Sequence, residues 1–287
     1  MRILIPGGDG MLGHRLLEHF RSNHDVRVTL RRDAAAYAHY GLFSADNAHY
    51  GIDARDTDSL FGVLSDFRPQ AVINAVGIVK QRPTATESIP SIEINALFPH
   101  RLALHCARIG ARLVHVSTDC VFSGHRGNYR ETDEPDPDDL YGRSKLLGEA
   151  QDPHCITLRT SIIGRELTRK KGLLEWFLAQ KGAIRGYKNS VFSGFTNIEL
   201  AHIIERILVT RPQASGVYHV SSDPISKYDL LMLVKRRLGL AVEIIPDDEI
   251  RVNRSLDSSR FRAEFGYTPP TWEAMIEELA RVMKKDM

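Results

Sequence analysis

Gly7-Gly8-Asp9-Gly10-Met11-Leu12-Gly13 follows the apolar run Ile3-Leu4-Ile5 and Pro6 and leads into a segment of helical period. Glycines at 7, 10 and 13 between a strand and a helix form a fingerprint for dinucleotide phosphates. Gly7 permits the tight turn, and Gly10 lets the backbone approach a pyrophosphate. Gly13 lets helix and strand pack closely, while the helix N-terminus favours the anion. Met11 and Leu12 belong to the same turn and are counted with the cofactor site. A plain strand-to-helix turn is the alternative, but strand, spacing and helix together favour dinucleotide binding.

Outward from this turn, short apolar runs alternate with longer segments of helical period. Strands are predicted over 2–5, 25–30, 71–75, 113–117 and 155–158, and helices over 11–21, 60–67, 97–109 and 140–149. Near-continuous apolar strands alternating with helices imply a parallel sheet covered on both faces. After residue 160 the alternation weakens. Helices are predicted over 172–180, 199–209, 227–238 and 272–284, with strands over 217–220 and 242–245. The expected fold is α/β, a Rossmann-type doubly wound parallel sheet with a smaller C-terminal α/β cap. The nucleotide-binding domain is placed at 1–160 and the cap mainly at 161–287, with a part at about 185–210 returning to the first domain.

The chain has 287 residues, 43% hydrophobic and 26% charged, which excludes a disordered chain, a fibre and a disulfide mini-scaffold. Lys and Arg number 38 against 36 Asp and Glu, a net charge of +2 without the basic excess of a nucleic-acid binder. Cys106, Cys120 and Cys155 show no metal or disulfide spacing, so a reducing compartment is expected. No apolar stretch is long enough for a spanning helix or a signal peptide core. The expectation is a cytoplasmic protein without nucleic-acid or membrane partners; a homodimer is compatible with it. The 12 histidines are scattered, with His100/His105 and His115/His125 off helical ligand spacing, and no metal is expected.

The second strand ends Thr29-Leu30-Arg31-Arg32. An acidic residue here would bind the ribose hydroxyls of NAD, whereas two arginines suit a ribose 2′-phosphate. NADP is therefore preferred and NAD is the alternative; Asp33 next door leaves room for a solvated arginine pair. Asp53, in Gly51-Ile52-Asp53, is expected to touch the adenine amine or to cap a loop. Tyr141-Gly142-Arg143-Ser144-Lys145 places Tyr and Lys four apart, on one helix face. A nearby ammonium lowers the pKa of a tyrosine hydroxyl, so Tyr141 can exchange a proton near neutral pH. Lys145 can also hold the nicotinamide ribose. Ser117-Thr118-Asp119 ends a parallel strand upstream, and Thr118, or Ser117, can donate a hydrogen bond to a substrate carbonyl. Hydroxyl donor, tyrosine acid and lysine make a carbonyl-reducing set.

The glycine pattern, Ser117-Thr118-Asp119-Cys120-Val121-Phe122-Ser123-Gly124 and Tyr141-Gly142-Arg143-Ser144-Lys145 resemble the extended short-chain dehydrogenases/reductases, most closely the dTDP-4-dehydrorhamnose reductase group. Leu158-Arg159-Thr160-Ser161, Phe195-Thr196 and Arg254-Ser255-Leu256-Asp257 are similar to later landmarks of that group. The resemblance implies a Rossmann domain with a cap that binds a nucleotide sugar, and hydride transfer from a nicotinamide cofactor to a 4-keto sugar carbon. It assigns Ala75, Val76, Gly77, Asn95, Ser117 and Ser161 to the cofactor. On the substrate side stand Cys120, at a position expected near the sugar, and Lys80, with Arg82 nearby, in a stretch longer than the group's. Arg254 could clamp a pyrophosphate, and Trp176, Phe192 or Phe195 could stack on the base; each of these four reads equally well as a core or surface residue.

This chain departs from the group at several points. Cys120 replaces a tyrosine, Asn74-Ala75-Val76-Gly77 replaces N-A-A-A, and the stretch 78–90 is longer. Related 4,6-dehydratases carry Glu after Thr-Asp for water elimination, and epimerases usually carry a second serine. Cys120 and Thr118-Asp119 therefore favour reduction. The expected activity is NADPH-dependent reduction of a 4-keto-6-deoxy nucleotide sugar for polysaccharide synthesis. The alternatives are an epimerase or dehydratase, or a non-catalytic cofactor-binding regulatory subunit, a role some relatives of the group serve.

Overall fold

The computed structural model describes residues 1–80 and 86–285. Arg82 lies outside the described residues. Strand β1 (Arg2–Pro6) runs into the glycine turn, and helix α1 (Gly13–Phe20) leaves it. The main sheet continues with β2 (Asp25–Leu30), β3 (Ala48–Tyr50), β4 (Ala71–Asn74), β5 (Arg112–Val116), β6 (Cys155–Arg159) and β7 (Gly216–His219). Across the sheet the order is β7-β6-β5-β4-β1-β2-β3. The pairs β1–β2, β1–β4, β2–β3, β4–β5 and β5–β6 are parallel. With β1 between β2 and β4, the chain reverses direction across the sheet there, the arrangement that leaves a crevice at the carboxyl ends of the strands. This is the Rossmann-type fold expected from the sequence.

The apolar strands are central because both their faces are covered. Ile3, Leu4, Ile5, Val72, Ile73, Leu113 and Val114 have no exposed surface. Helices α2 (Thr57–Phe67) and α3 (Phe98–Ile109) supply Leu60, Leu64, Phe98 and Leu102 to the same core as Leu4, Val72 and Leu113. Each such side chain contributes roughly 1.5–3 kcal/mol. Asp56 caps α2 through the Ser59 N–H, and Asp139 caps α4 (Leu140–Leu147) through the Gly142 N–H.

By contacts the chain divides into two compact units. The first comprises Met1–Ser117, Asp139–Leu158 and Ala201–Val217; the second comprises Thr118–Asp138, Arg159–Leu200 and Tyr218–Met287. In sequence extent this differs from a division near residue 160. Residues 118–138 pack within the second unit because Tyr129 N–H donates to the Ser255 carbonyl, Asp257 N–H donates to the Tyr129 carbonyl, and Phe122 stacks on Tyr129 at 4.2 Å. The segment that joins the first unit is Ala201–Val217 rather than 185–210. Its helical part belongs to α5 (Asn197–Thr210), which begins in the second unit.

The second unit holds small sheets. Ala183–Tyr187 pairs in parallel with Glu243–Asp247, and Ser190–Phe192 pairs with Ile225–Ser226 and Val252–Asn253. Phe261, Phe265, Tyr218 and Tyr267 pack ring to ring in its core. Among the described residues, no helix is long and apolar enough to cross a membrane.

Candidate active site

In the first unit the glycine turn is closed by backbone alone. Gly8 N–H donates to the Thr29 carbonyl and Gly10 N–H to the Gly7 carbonyl, both at 3.1 Å. Gly7 sits at φ +86°, and a Cβ there would meet the Ala75 carbonyl oxygen at 3.0 Å and Val76 at 3.1 Å. A Cβ on Gly13 would run into the Gly7 carbonyl. At Gly10 the nearest atom is 3.3 Å away. The turn is thus a cradle in which side chains are excluded, as a bound pyrophosphate requires. Met11 and Leu12 complete the turn, Leu12 as part of the core. The loop after β4 lies against it: Ala75 N–H donates to the Pro6 carbonyl, and Val76 N–H to the Asn74 side chain.

Arg31 and Arg32 are exposed just beyond β2. Asp33 does not pair with them in any hydrogen bond described; its carboxylate caps the following turn through the Ala36 N–H. Asp9 of the glycine turn accepts a hydrogen bond from the Tyr37 hydroxyl at 3.2 Å, and that hydroxyl accepts from the Arg32 N–H. Asp53 is held by Arg55 at 3.0 and 2.8 Å. The Arg55 hydrogen bonds hold its carboxyl below the ordinary value, and the geometry fits the loop-capping alternative.

Asn95 stands in a π-helical stretch, Ile92–Leu97, preceded by the helical turn Ser88–Ser91, where the sequence suggested only the start of a helix. The wide turn presents a fully engaged side chain. Asn95 Oδ1 accepts from the Ile78 N–H at 2.8 Å, and Nδ2 donates to the Ile78 carbonyl at 3.0 Å and to Ser144 Oγ at 3.1 Å. Gly77 lies 3.6 Å, from the position a Cβ would take, to the same Asn95 oxygen. Gly148 has no room for a Cβ because the Asn95 carbonyl occupies it. One asparagine therefore ties the loop after β4 to α4. Such π-turns occur where function needs a side chain re-aimed.

Tyr141 and Lys145 lie one turn apart on α4. Tyr141 is half-buried. Lys145 is buried, and its ammonium donates to the Val116 carbonyl at 2.7 Å, at the end of β5. Burial pushes that ammonium down to about 8, while Glu149 pulls it up. Ser117 donates to Glu149 Oε1 at 2.7 Å. Behind them the buried His115 and Asn74 side chains meet at 3.1 Å; burial first, then Lys145, pushes the His115 imidazole well below its ordinary value. Lys80 is exposed and forms a 2.6 Å ion pair with Asp139, the residue that caps α4.

In the second unit, Thr118 Oγ1 accepts from the Cys120 N–H at 3.1 Å, which caps the short turn that follows. Asp119 is buried beside Ser161, Arg254, Cys120 and Thr118. Burial pushes its carboxyl up against the hydrogen bond of Ser161 and the charge of Arg254. Cys120 is pushed up to about 12 by burial and by Asp119, so it is no thiolate. Arg254 Nε donates to the Phe122 carbonyl at 2.7 Å, and a second nitrogen lies 3.6 Å from Asp138. Trp176 is 41% exposed and Phe192 is half-buried. Phe195 takes the core alternative of the sequence reading: it has no exposed surface, and its ring meets the edge of Tyr267. A ring so packed presents no face to a base.

Sequence reasoning missed Glu149, Asn74, His115 and the Asp9–Tyr37 pair. Glu149 carried a usable signal, since it follows Lys145 by four residues. The others are contacts between distant segments.

Fold and site together define a Rossmann-type α/β protein with a backbone cradle for a dinucleotide phosphate and a Tyr/Lys pair at the sheet's carboxyl edge. Within that class the chain belongs to the RmlD substrate binding domain family, whose sequence pattern matches residues 1–285. It is 26% identical to dTDP-4-dehydrorhamnose reductase of Aggregatibacter actinomycetemcomitans, over 97% of this chain and 98% of that one. It is 32% identical to methionine adenosyltransferase 2 subunit beta of Bos taurus, over 52% of this chain and 41% of that one. The fold is similar to the crystal structure of dTDP-4-dehydrorhamnose reductase from Bacillus anthracis in complex with NADP, with a TM-score of 0.79, 21% identity, and 97% and 98% of the two chains covered.

Proposed function

We propose that the protein reduces a 4-keto-6-deoxy nucleotide sugar with NADPH, supplying a deoxysugar nucleotide for surface polysaccharide or a related glycoconjugate. The observation that carries this reading is the pair Tyr141 and Lys145 on one face of α4, with Lys145 anchored on the last carbonyl of β5. The glycine cradle fits a dinucleotide phosphate because Cβ atoms at Gly7 and Gly13 would fill it. When bound, the nicotinamide supplies the hydride.

This chain's residues do the rest. Gly7, Gly10, Met11, Leu12 and Gly13 receive the pyrophosphate, and Arg31 and Arg32 face the 2′-phosphate. Ala75, Val76 and Gly77, held in place by Asn74 and Asn95, form the wall beside it. Ser117 and Ser161 complete the cofactor side. Thr118 donates a hydrogen bond to the substrate carbonyl oxygen, and Tyr141 Oη gives that oxygen its proton as the carbon is reduced. Lys145 stabilises the phenolate left behind and holds the ribose. Lys80, Cys120, Trp176 and Arg254 belong to the substrate side, with Arg254 on the pyrophosphate and Trp176 offering the exposed ring.

The test incubates purified protein with NADPH and a dTDP- or UDP-linked 4-keto-6-deoxy sugar. The expected result is stoichiometric NADPH oxidation and a product heavier by two hydrogens. A product lighter by one water from an intact nucleotide hexose, without net NADPH oxidation, would move the protein to the dehydratases. The stretch similar to methionine adenosyltransferase 2 subunit beta supports a second reading, a cofactor-binding subunit without turnover. Tight NADPH binding with no oxidation by any keto nucleotide sugar would favour it.

A further inference from the structure

Three polar side chains, Lys145, Glu149 and Ser117, gather where β5 ends against α4, and the Tyr/Lys pair explains only Lys145. Glu149 lies just past the last turn of α4, one helical turn beyond Lys145, and is buried. A carboxylate withdrawn from water is costly unless other groups compensate it. The Ser117 hydroxyl donates to Oε1 at 2.7 Å, and Lys145 provides an opposite charge. Lys145 and Ser117 are themselves bound to the same piece of chain, since the Lys145 ammonium sits on the Val116 carbonyl. Consecutive residues of the strand end, Val116 and Ser117, thus receive Lys145 from the last part of α4 and Glu149 from just past its end.

We propose that Glu149 is a positioning residue for Lys145: its buried carboxylate, anchored by Ser117, keeps the Lys145 ammonium charged and seated on the Val116 carbonyl. The proposal deepens the reductase reading and rests on it for its effect on turnover, though not for its effect on Lys145 itself.

The charged groups around Lys145 support this role. On its own helix the titratable neighbour is Tyr141, one turn earlier, and Glu149 follows just past the helix end. From β5 the neighbour is His115, which burial keeps neutral so that it adds no repulsion; from α3 the His100 ring sits on the Leu147 carbonyl at 2.7 Å. Glu149 is the charge that favours the ammonium, beside the Val116 carbonyl that accepts its hydrogen bond and against a burial that disfavours it. The midpoint of about 8 is the balance of these. Removing the carboxylate charge leaves only the Val116 carbonyl against burial, so the midpoint falls. The sign is fixed: an ammonium with a lower midpoint is lost at lower pH.

Glu149→Gln keeps the shape and an oxygen to accept from Ser117 but removes the charge. The protein is grown on lysine labelled with carbon-13 at Cε, the Lys145 signal is assigned with Lys145→Arg, and its titration is followed by NMR without substrate. The expected midpoint is about 8 in the wild type. In Glu149→Gln it should be lower by about one pH unit. An unchanged midpoint in a variant with a wild-type fold by circular dichroism overturns the proposal. If the Glu149→Gln protein does not fold, Glu149→Asp is titrated instead; its shorter side chain keeps the charge but draws it back from Lys145, so a smaller downward move is expected and none overturns the idea.

The pH profile of turnover is the second readout. In Glu149→Gln its alkaline limb should move down with the NMR midpoint, costing about fivefold at pH 8 and little at pH 6. A purely structural role would lower the rate equally at all pH values. If the NMR midpoint moves while no reductase turnover is found in either protein, the reductase reading fails and the placement of Glu149 stands.

Discussion

Two places in the first unit, the β1–α1 turn and the end of β5 against α4, lie at the same edge of the sheet and are built by opposite means. At β1–α1 the site is made by leaving side chains out: Gly7 and Gly13 are packed so closely that a methyl group has no room. At β5–α4 it is made by burying polar side chains, with Lys145, Glu149, Ser117, His115 and Asn74 joined to one another or to the strand end. A backbone cradle has one acceptable shape and tolerates little change. A buried network has adjustable parts, because each charge is set by its neighbours. The first arrangement suits the binding of an invariant pyrophosphate, and the second suits the tuning of a proton transfer.

The largest effect should come from the adjustable end. Tyr141→Phe removes the hydroxyl that gives the proton and leaves the ring in place. Turnover should fall roughly 10² to 10⁴-fold with NADPH affinity retained, read by steady-state kinetics and fluorescence titration. Turnover near the wild-type value would place the acid elsewhere and dissolve the functional half of the comparison.

Gly13→Ala attacks the cradle. Its Cβ would collide with the Gly7 carbonyl and come within 2.9 Å of Gly8 Cα. Overpacking against fixed backbone should cost roughly 3 kcal/mol in chemical denaturation and remove dinucleotide binding. Gly10→Ala sharpens the point. There the nearest atom is 3.3 Å away, so the fold should survive while affinity for NADPH drops, because the space belongs to the ligand. Equal destabilisation by both substitutions would show that the turn is merely tight.

Ser117→Ala tests the network without touching Lys145. It takes one donor from the buried Glu149 carboxylate, and loss of a partner to a buried polar group costs roughly 1–3 kcal/mol. The same substitution on an exposed serine should be almost silent. A silent Ser117→Ala in denaturant would mean that Glu149 does not depend on this hydroxyl.

The two ends also differed in how far they could be read from sequence. Gly7, Gly10 and Gly13 declare themselves because glycine has few other reasons to recur at that spacing after a strand. The strands read correctly because burial on both faces leaves continuous apolar runs such as 71–75 and 113–117. The Tyr141/Lys145 pair was legible through helical spacing, and its setting was not. Asn74 meets His115 across 41 residues of chain, and Asn95 reaches Ile78 and Ser144 through a π-turn that no periodicity announces. In the second unit, Ala183–Tyr187 and Ser259–Phe265 escaped notice, the first because a half-exposed strand interrupted by Gly186 has no clear apolar pattern. Phe195 stayed open between base and core for a related reason: an aromatic residue at a landmark position looks the same in sequence whether it faces a ligand or the core.

The end of β2 lies between the two extremes, and there the smallest effect is expected. Arg31 and Arg32 are exposed side chains, but the groups around them are already committed. Asp33 caps its own turn, and Asp9 is held by the Tyr37 hydroxyl, which in turn receives the Arg32 N–H. Among the described residues no ion pair takes either guanidinium group, so both are placed to meet a ribose 2′-phosphate. A charge-assisted contact contributes roughly 1.5–3 kcal/mol when shielded and less in solvent, so NADPH should bind about tenfold tighter than NADH. Replacing both arginines with alanine should erase most of that preference by weakening NADPH alone, since NADH carries no phosphate for them to hold. Calorimetry of both cofactors with both proteins decides it. Equal affinities in the wild type would show that the pair faces solvent. A parallel loss of NADH affinity in the double variant would show that the arginines hold the fold of this turn rather than select the cofactor.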